Sequence, residues 1–248
     1  MPSLTFSSIC QSSVEDLYKY HASGTAFQRL IPPWEQIILH KWLGGEATKH
    51  LAQQDQFGDI STGTEVHLKT KLGPFFLPLV AKHIDHNNPS GFTDVQIKGP
   101  FRHWKHQHQF TAHQEHSRLT DSIEYEAPLS LFSDWLVKKK ITQTFSFRHA
   151  RTQQDLSRYA KHHNKPKLKI AVTGASGLVG QNLCHFLQAG GHTVYRLVRK
   201  EAVHPNEIRW DIKQQFIEHE KMEGLPPKTQ EHLDQHSGAN TQIESIIS

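Results

Sequence analysis

Residues 169–180 read Lys-Ile-Ala-Val-Thr-Gly-Ala-Ser-Gly-Leu-Val-Gly. A short apolar strand, Ile170 to Thr173, leads into glycines at 174, 177 and 180. The start of an amphipathic helix follows, with Val179, Leu183, Phe186 and Leu187 at helical spacing, and Gly190-Gly191 stops it. Such a strand–turn–helix suits a dinucleotide. The first glycine makes the tight turn, the second lets backbone approach a pyrophosphate, and the third lets helix and strand pack closely. The phosphates would rest on the unpaired N–H groups at the helix start, where the helix dipole favours negative charge. The alternative is an ordinary glycine-bearing turn that holds no ligand.

Arg199 follows the next apolar strand, about 20 residues beyond the turn, where an acidic residue would bind the ribose hydroxyls of NAD and an arginine would suit a 2′-phosphate. No acid stands at the strand tip, which favours NADP(H) over NAD(H), although Glu201 two residues on weighs the other way. A surface arginine on a loop is the plain alternative. No Tyr-x-x-x-Lys pair follows the glycines, since Tyr195 is followed four positions later by Arg199. No catalytic residue is therefore expected.

A second group of chemically able residues lies at 103–126. On a strand from His103 to Phe110, Trp104, His106, His108 and Phe110 share a face; on the next, Leu119, Asp121, Ile123 and Tyr125 do. A turn at 111–116 would oppose His106 to Asp121. A buried carboxylate beside a histidine holds the ring charged or fixes its tautomer. Three readings stay open: a satisfied core pair, a polar anchor in an apolar ligand cavity, or a metal site from His106, His108 and a third residue such as His83. Alternating histidines permit the last and nothing else demands it, so no metal is expected.

Local patterns outline the scaffold around these groups. Leu4 to Cys10 forms a strand, and Ser12-x-x-Glu15 caps a helix with Val14, Leu17 and Tyr18 on one stripe. An apolar patch from Phe27 to Trp34 precedes a strand from Trp34 to Trp42. Strands at 65–71, 77–85, 92–97, 103–110 and 118–126 make an antiparallel meander. After Pro128 a long helix carries Leu131, Leu136, Ile141 and Phe145 and runs on through Leu156 and Tyr159, across one face of the sheet. Lys161 to Lys167 is a polar, proline-bearing linker. Beyond the glycine turn come a strand at 192–198 and a hairpin at 208–217. The predicted domains are therefore 1–160, a linker at 161–168, a nucleotide-binding segment at 169–225, and a polar, disordered tail at 226–248.

Composition narrows the function classes. Net charge is +4, but lysines and arginines are scattered apart from Lys138-Lys139-Lys140, so nucleic acid is not an expected partner. No run approaches the ~20 apolar residues of a membrane helix. Two widely separated cysteines, Cys10 and Cys184, fit a reducing compartment, and a cytoplasmic protein is expected.

Thr173-Gly174-Ala175-Ser176-Gly177-Leu178-Val179-Gly180 resembles the Thr-Gly-x-x-Gly-x-x-Gly fingerprint of extended short-chain dehydrogenases/reductases. With Arg199, Trp210-Asp211 and Met222-Glu223-Gly224-Leu225 it is similar to the start of the sugar-epimerase-like NAD(P)-dependent epimerases/dehydratases. The phrases at 26–35, 99–110, 119–125 and Phe147-Arg148-His149 resemble the START-like, polyketide-cyclase-type domain fused ahead of some bacterial members. The resemblance implies an α+β helix-grip domain followed by a partial α/β Rossmann unit. It implies a small hydrophobic ligand in an N-terminal cavity whose expected lining is Trp104, His106, His108, Leu119, Asp121 and Tyr125. It implies cofactor contacts at Gly174, Ala175, Ser176, Gly177, Leu178, Val179 and Gly180, with Arg199 near the adenosine phosphate. The family continues past 225 where this chain does not match, so a truncated, inactive form with weakened or lost cofactor binding is expected. The rival expectation is a non-enzymatic carrier of a small hydrophobic molecule.

Overall fold

The computed structural model describes residues 1–44, 60–72, 74–127, 134–214 and 216–218. The chain divides into two units, Met1–Asn164 and Lys165–Ser248. The expected tail at 226–248, the phrase at 222–225, and Pro128 and Leu131 lie outside the described residues.

In the first unit, strand β1 (Ser3–Cys10) is followed by helices α1 (Val14–Ala22) and α2 (Gly24–Leu30). Strands β2 (Ile37–Leu43), β3 (Glu65–Leu72), β4 (Phe75–Asn87), β5 (Gly91–Lys98), β6 (His103–His113) and β7 (His116–Glu126) come next, then helix α3 (Asp134–Ala160). They form an antiparallel seven-stranded sheet in the order β1-β7-β6-β5-β4-β3-β2. The first strand thus closes against the last, and the two short helices bridge the sheet's opposite edges.

Strand β7 shows why one face is the core. Ser117, Leu119, Asp121, Ile123 and Tyr125 are all buried, and the residues between them are not. Helix α3 lies against this face. Its Ile141 and Phe145 join Ile123 and Tyr125 in one cluster, with Phe6, Phe101 and Trp104 packed around it. At 27 residues the helix is about 40 Å long.

Several expectations are corrected. The N-cap of α1 is Ser13, whose hydroxyl accepts from Asp16 N at 3.0 Å, whereas the Ser12 hydroxyl pairs with Ser117. Ser13→Ala should cost about 1 kcal/mol in chemical denaturation. Ser12→Ala should leave the cap intact, and the reverse ranking would put the cap back at Ser12. Residues 24–30 are helical, so β2 begins at Ile37, not Trp34. Leu136 is 52% exposed and Val137 takes the core position. Between β6 and β7 the turn is two residues long, Gln114 and Glu115, with Gln114 at φ 56. His108, not His106, therefore stands opposite Asp121, and His106 opposes Ile123. A shift of two leaves every side chain on its predicted face and changes only its partner.

The second unit holds β8 (Lys169–Val172), α4 (Leu178–Ala189), β9 (Thr193–Val198), β10 (Glu207–Asp211) and β11 (Phe216–Ile217). The sheet order is β11-β10-β9-β8. β8, β9 and β10 are parallel, and only β11 runs antiparallel, against β10. The expected hairpin at 208–217 is thus also the continuation of a parallel sheet. Val172, Ala175, Cys184 and Val194 form the helix–sheet core, with Leu183 and Leu187 packed against it. Val179, read as part of that stripe, is 80% exposed. Among the described residues no helix is long and apolar enough to cross a membrane.

Candidate functional site

The glycine turn joins β8 to α4. Gly174 sits at φ 62, a left-handed conformation that glycine adopts without strain. Gly177 N donates to Gly174 O at 2.9 Å and closes the turn, and Gly177 is the N-cap of α4. A Cβ on Gly180 would lie 2.2 Å from Gly174 O and 2.9 Å from Ala175 Cα, so only glycine lets the first turn of α4 pack so closely on the loop. Gly177 has no side chain to cap the helix start, which leaves N–H groups available. Ala175 is buried beneath the turn, whereas Ser176, Leu178 and Val179 are exposed around it. These features form a concavity of backbone donors at a helix N-terminus, and the residues present fit a dinucleotide pyrophosphate. Arg199 is exposed just past the end of β9. The loop after it is held by Glu207, whose carboxylate accepts from Val203 N at 2.9 Å and His204 N at 3.2 Å.

In the first unit the sheet and α3 bury a polar cluster centred on Asp121, which is 1% exposed. His149, on α3 one turn after Phe145, donates from Nε2 to Asp121 Oδ2 at 2.9 Å, and its Nδ1 pairs with the Ser8 hydroxyl at 2.8 Å. His106 Nε2 lies 3.2 Å from Asp121 Oδ1. Its other nitrogen, Nδ1, lies 3.3 Å from Asp94 Oδ2 on the neighbouring strand. His108 Nδ1 comes within 2.7 Å of Asp121 Oδ1, close enough for an ion pair. His21 from α1 packs on His108, with ring centroids 5.4 Å apart.

Burial opposes charge on His106, but the two carboxylates at its two nitrogens outweigh it and raise its pKa to about 9. Asp121 is pulled well below the carboxylate range, against the effect of burial, by His108, His106 and His149. Burial and then the proximity of His106 lower His108, and burial followed by His108 lowers His21. Burial also lowers Arg148, partly offset by the carboxylates of Glu35, Asp121 and Asp94. Burial pushes the Cys10 thiol up to about 11, so it is no nucleophile at neutral pH.

Of the six predicted lining residues, the structure brings His106, His108 and Asp121 together. Leu119 and Tyr125 are fully buried on the same face, and Trp104 packs on Phe101 at 4.9 Å. His83 is instead tied to the Thr64 carbonyl through Nδ1 at 3.2 Å. Sequence reasoning missed Asp94, His149 and Ser8 as members of the cluster. His149 was findable, because it follows the core residue Phe145 by four positions and so shares its helix face. Asp94 was not, because residues 91–94 of β5 are all buried and show no alternation.

Residues 170–235 match the sequence model of the NAD dependent epimerase/dehydratase family. A search of curated proteins gave no match. Among solved structures, the nucleoside-diphosphate sugar epimerase from Corynebacterium glutamicum is similar, with 26% identity and a TM-score of 0.66 over 90% of this chain. The chain spans 44% of the length of that structure. The di-domain ARO/CYC StfQ from the steffimycin biosynthetic pathway aligns at 10% identity and TM-score 0.49, over 64% of this chain and 52% of that one. The ZhuI aromatase/cyclase from Streptomyces sp. R1128 aligns at 8% identity and TM-score 0.47, over 66% and 98%. At those scores the last two carry no weight here.

Proposed function

We propose that this is an NAD(P)-dependent epimerase-like protein in which the second unit, a partial Rossmann unit, holds the dinucleotide and the first holds a small hydrophobic molecule. The observation that carries the proposal is Gly180, a position where any side chain would strike the backbone of the turn. That close approach packs the first turn of α4 on the loop, as the third glycine of a dinucleotide-binding turn does, beside a helix start whose N–H groups no side chain caps. The match of residues 170–235 to the epimerase/dehydratase family and the likeness to a nucleoside-diphosphate sugar epimerase support the same reading.

When bound, the nicotinamide supplies a hydride donor or acceptor. The residues of this chain bind and orient: Gly174, Gly177 and Gly180 shape the cradle, with Ala175, Ser176, Leu178 and Val179 around it. Arg199, exposed past the end of β9, would hold the adenosine phosphate, which would make NADP(H) the preferred form. No Tyr-x-x-x-Lys pair follows the turn within these 248 residues, and no catalytic residue is assigned. The two free thiols, Cys10 and Cys184, agree with a cytoplasmic setting. The hydrophobic ligand is assigned to the first unit because α3 covers an apolar sheet face that also carries a buried polar cluster.

Fluorescence titration with NADPH and NADH tests the reading. Both should saturate, NADPH more tightly. Arg199→Ala should weaken NADPH about ten-fold or more, the worth of one charge-assisted hydrogen bond, and leave NADH unchanged. No saturation by either dinucleotide would refute the function. An unchanged NADPH-to-NADH ratio in Arg199→Ala would refute the NADP preference.

A further inference from the structure

We propose that Asp94, His106 and His108 form a binding site for one divalent first-row transition metal ion in the first unit. Each of the three offers a ligand atom, and those atoms lie within 4.8 Å of one another. Donors bound to one ion at about 2.0–2.2 Å stand some 3–4 Å apart, so small side-chain adjustments close the site. Two imidazoles and one carboxylate form a donor set suited to zinc, cobalt or iron rather than to magnesium or calcium.

The surroundings are those of a metal site. Asp94 and His106 are cross-strand partners in register, and His108 is two residues along the same strand face, so rigid sheet positions all three. A metal ion entering between His106 Nδ1 and Asp94 displaces the proton that the ring holds there, and the other nitrogen stays on Asp121. This is the carboxylate–imidazole arrangement that fixes the tautomer and orientation of a metal-bound histidine. Asp121 in turn is fixed by His149, which Ser8 holds from the far side. The side chains of Asp94 and His108 are 13% and 12% exposed, against 5% for His106 and 2% for Asp121, so two of the three ligands are the less buried members of the cluster. Phe92 packs on His108 with ring centroids 4.3 Å apart and a 42° tilt, and Phe145 meets His106 edge-on at 5.0 Å, giving the site an apolar wall.

The test uses the full chain after chelator treatment, titrated with Co2+ in visible light and then with Zn2+. The expected result is one saturable Co2+ band, removed by one equivalent of Zn2+. Asp94→Asn and His108→Gln should each weaken Co2+ at least about ten-fold. Asp121→Asn, a positioning change, should weaken it by about 10–100-fold. His162→Ala with His163→Ala, a change in an exposed turn, should leave it as in wild type. Circular dichroism reports whether each variant folds. If the site variants do not, zinc absorption spectroscopy of the wild type decides: two imidazoles with oxygen donors uphold the site, and any other imidazole count overturns it. A folded wild type with no saturable band, or a band unchanged in both Asp94→Asn and His108→Gln, also overturns it.

Discussion

Asp155→Ala is expected to cost the first unit about 3–5 kcal/mol, the usual toll of stripping one partner from a buried ion pair. Asp155 is fully buried on α3. Its carboxylate accepts from Arg29 Nε at 2.9 Å and Nη2 at 2.6 Å, a two-pronged grip, and from the Tyr20 hydroxyl at 2.9 Å. Arg29 comes from α2 and Tyr20 from α1, so one carboxylate ties both short helices to the long one. Burial works against the guanidinium, but Asp155 more than offsets this and raises its pKa. Alanine would leave a charged group 6% exposed with its main partner gone. Replacing both members, Asp155→Leu with Arg29→Leu, should cost less than Asp155→Ala alone, because no orphaned charge remains. Urea denaturation followed by tryptophan fluorescence measures this, since all five tryptophans but Trp210 lie in the first unit. A loss below about 1 kcal/mol would mean the pair is no clamp.

Gly180→Val is expected to weaken NADPH by at least about 100-fold, the equivalent of two lost charge-assisted hydrogen bonds. The added Cβ would meet Gly174 O at 2.2 Å, Gly174 C at 2.8 Å and Ala175 Cα at 2.9 Å. All three are backbone atoms, so relief requires the turn itself to open, and the donors that would hold the pyrophosphate separate. The neighbouring glycines grade the effect. A Cβ on Gly177 would meet Gly174 O at 3.3 Å, which a small adjustment accommodates, so Gly177→Ala should do far less. Gly174 has open space around it but sits at φ +62, so Gly174→Ala should cost about 1 kcal/mol of strain without blocking the cradle. Calorimetric titration of the three variants gives the ranking, and wild-type affinity in Gly180→Val would contradict the assigned role.

Much of this was legible in the residues because it depends on short-range periodicity. Alternation along 117–125 announced the buried face of β7, and glycines at intervals of three announced the turn before α4. What sequence could not fix was pairing across distance. The β6–β7 turn carries no Asn-Gly or Asp-Gly signal, so a two-residue loop could not be told from a six-residue one. The residue directly opposite Asp121 was therefore misassigned, while its face and its contact with His106 were right. Trp34 was read into a strand because aromatic spacing alone does not show where a strand begins. Val179 and Leu136 were read as core because each keeps helical spacing with buried residues. Val179 falls in the exposed first turn of α4, and Leu136 stands one residue before Val137, which takes the core position in its place. Asp94 joined the cluster through the packing of β5, which no local pattern encodes, whereas the four-residue step from Phe145 put His149 on the core face of α3.

The account stands most directly on amide exchange at residues 174–181 of the full chain, measured with and without saturating NADPH. It predicts that these amides slow together on addition of NADPH and that the protection vanishes in Gly180→Val. NADPH that binds while these amides exchange as before, or does not bind at all, would contradict it.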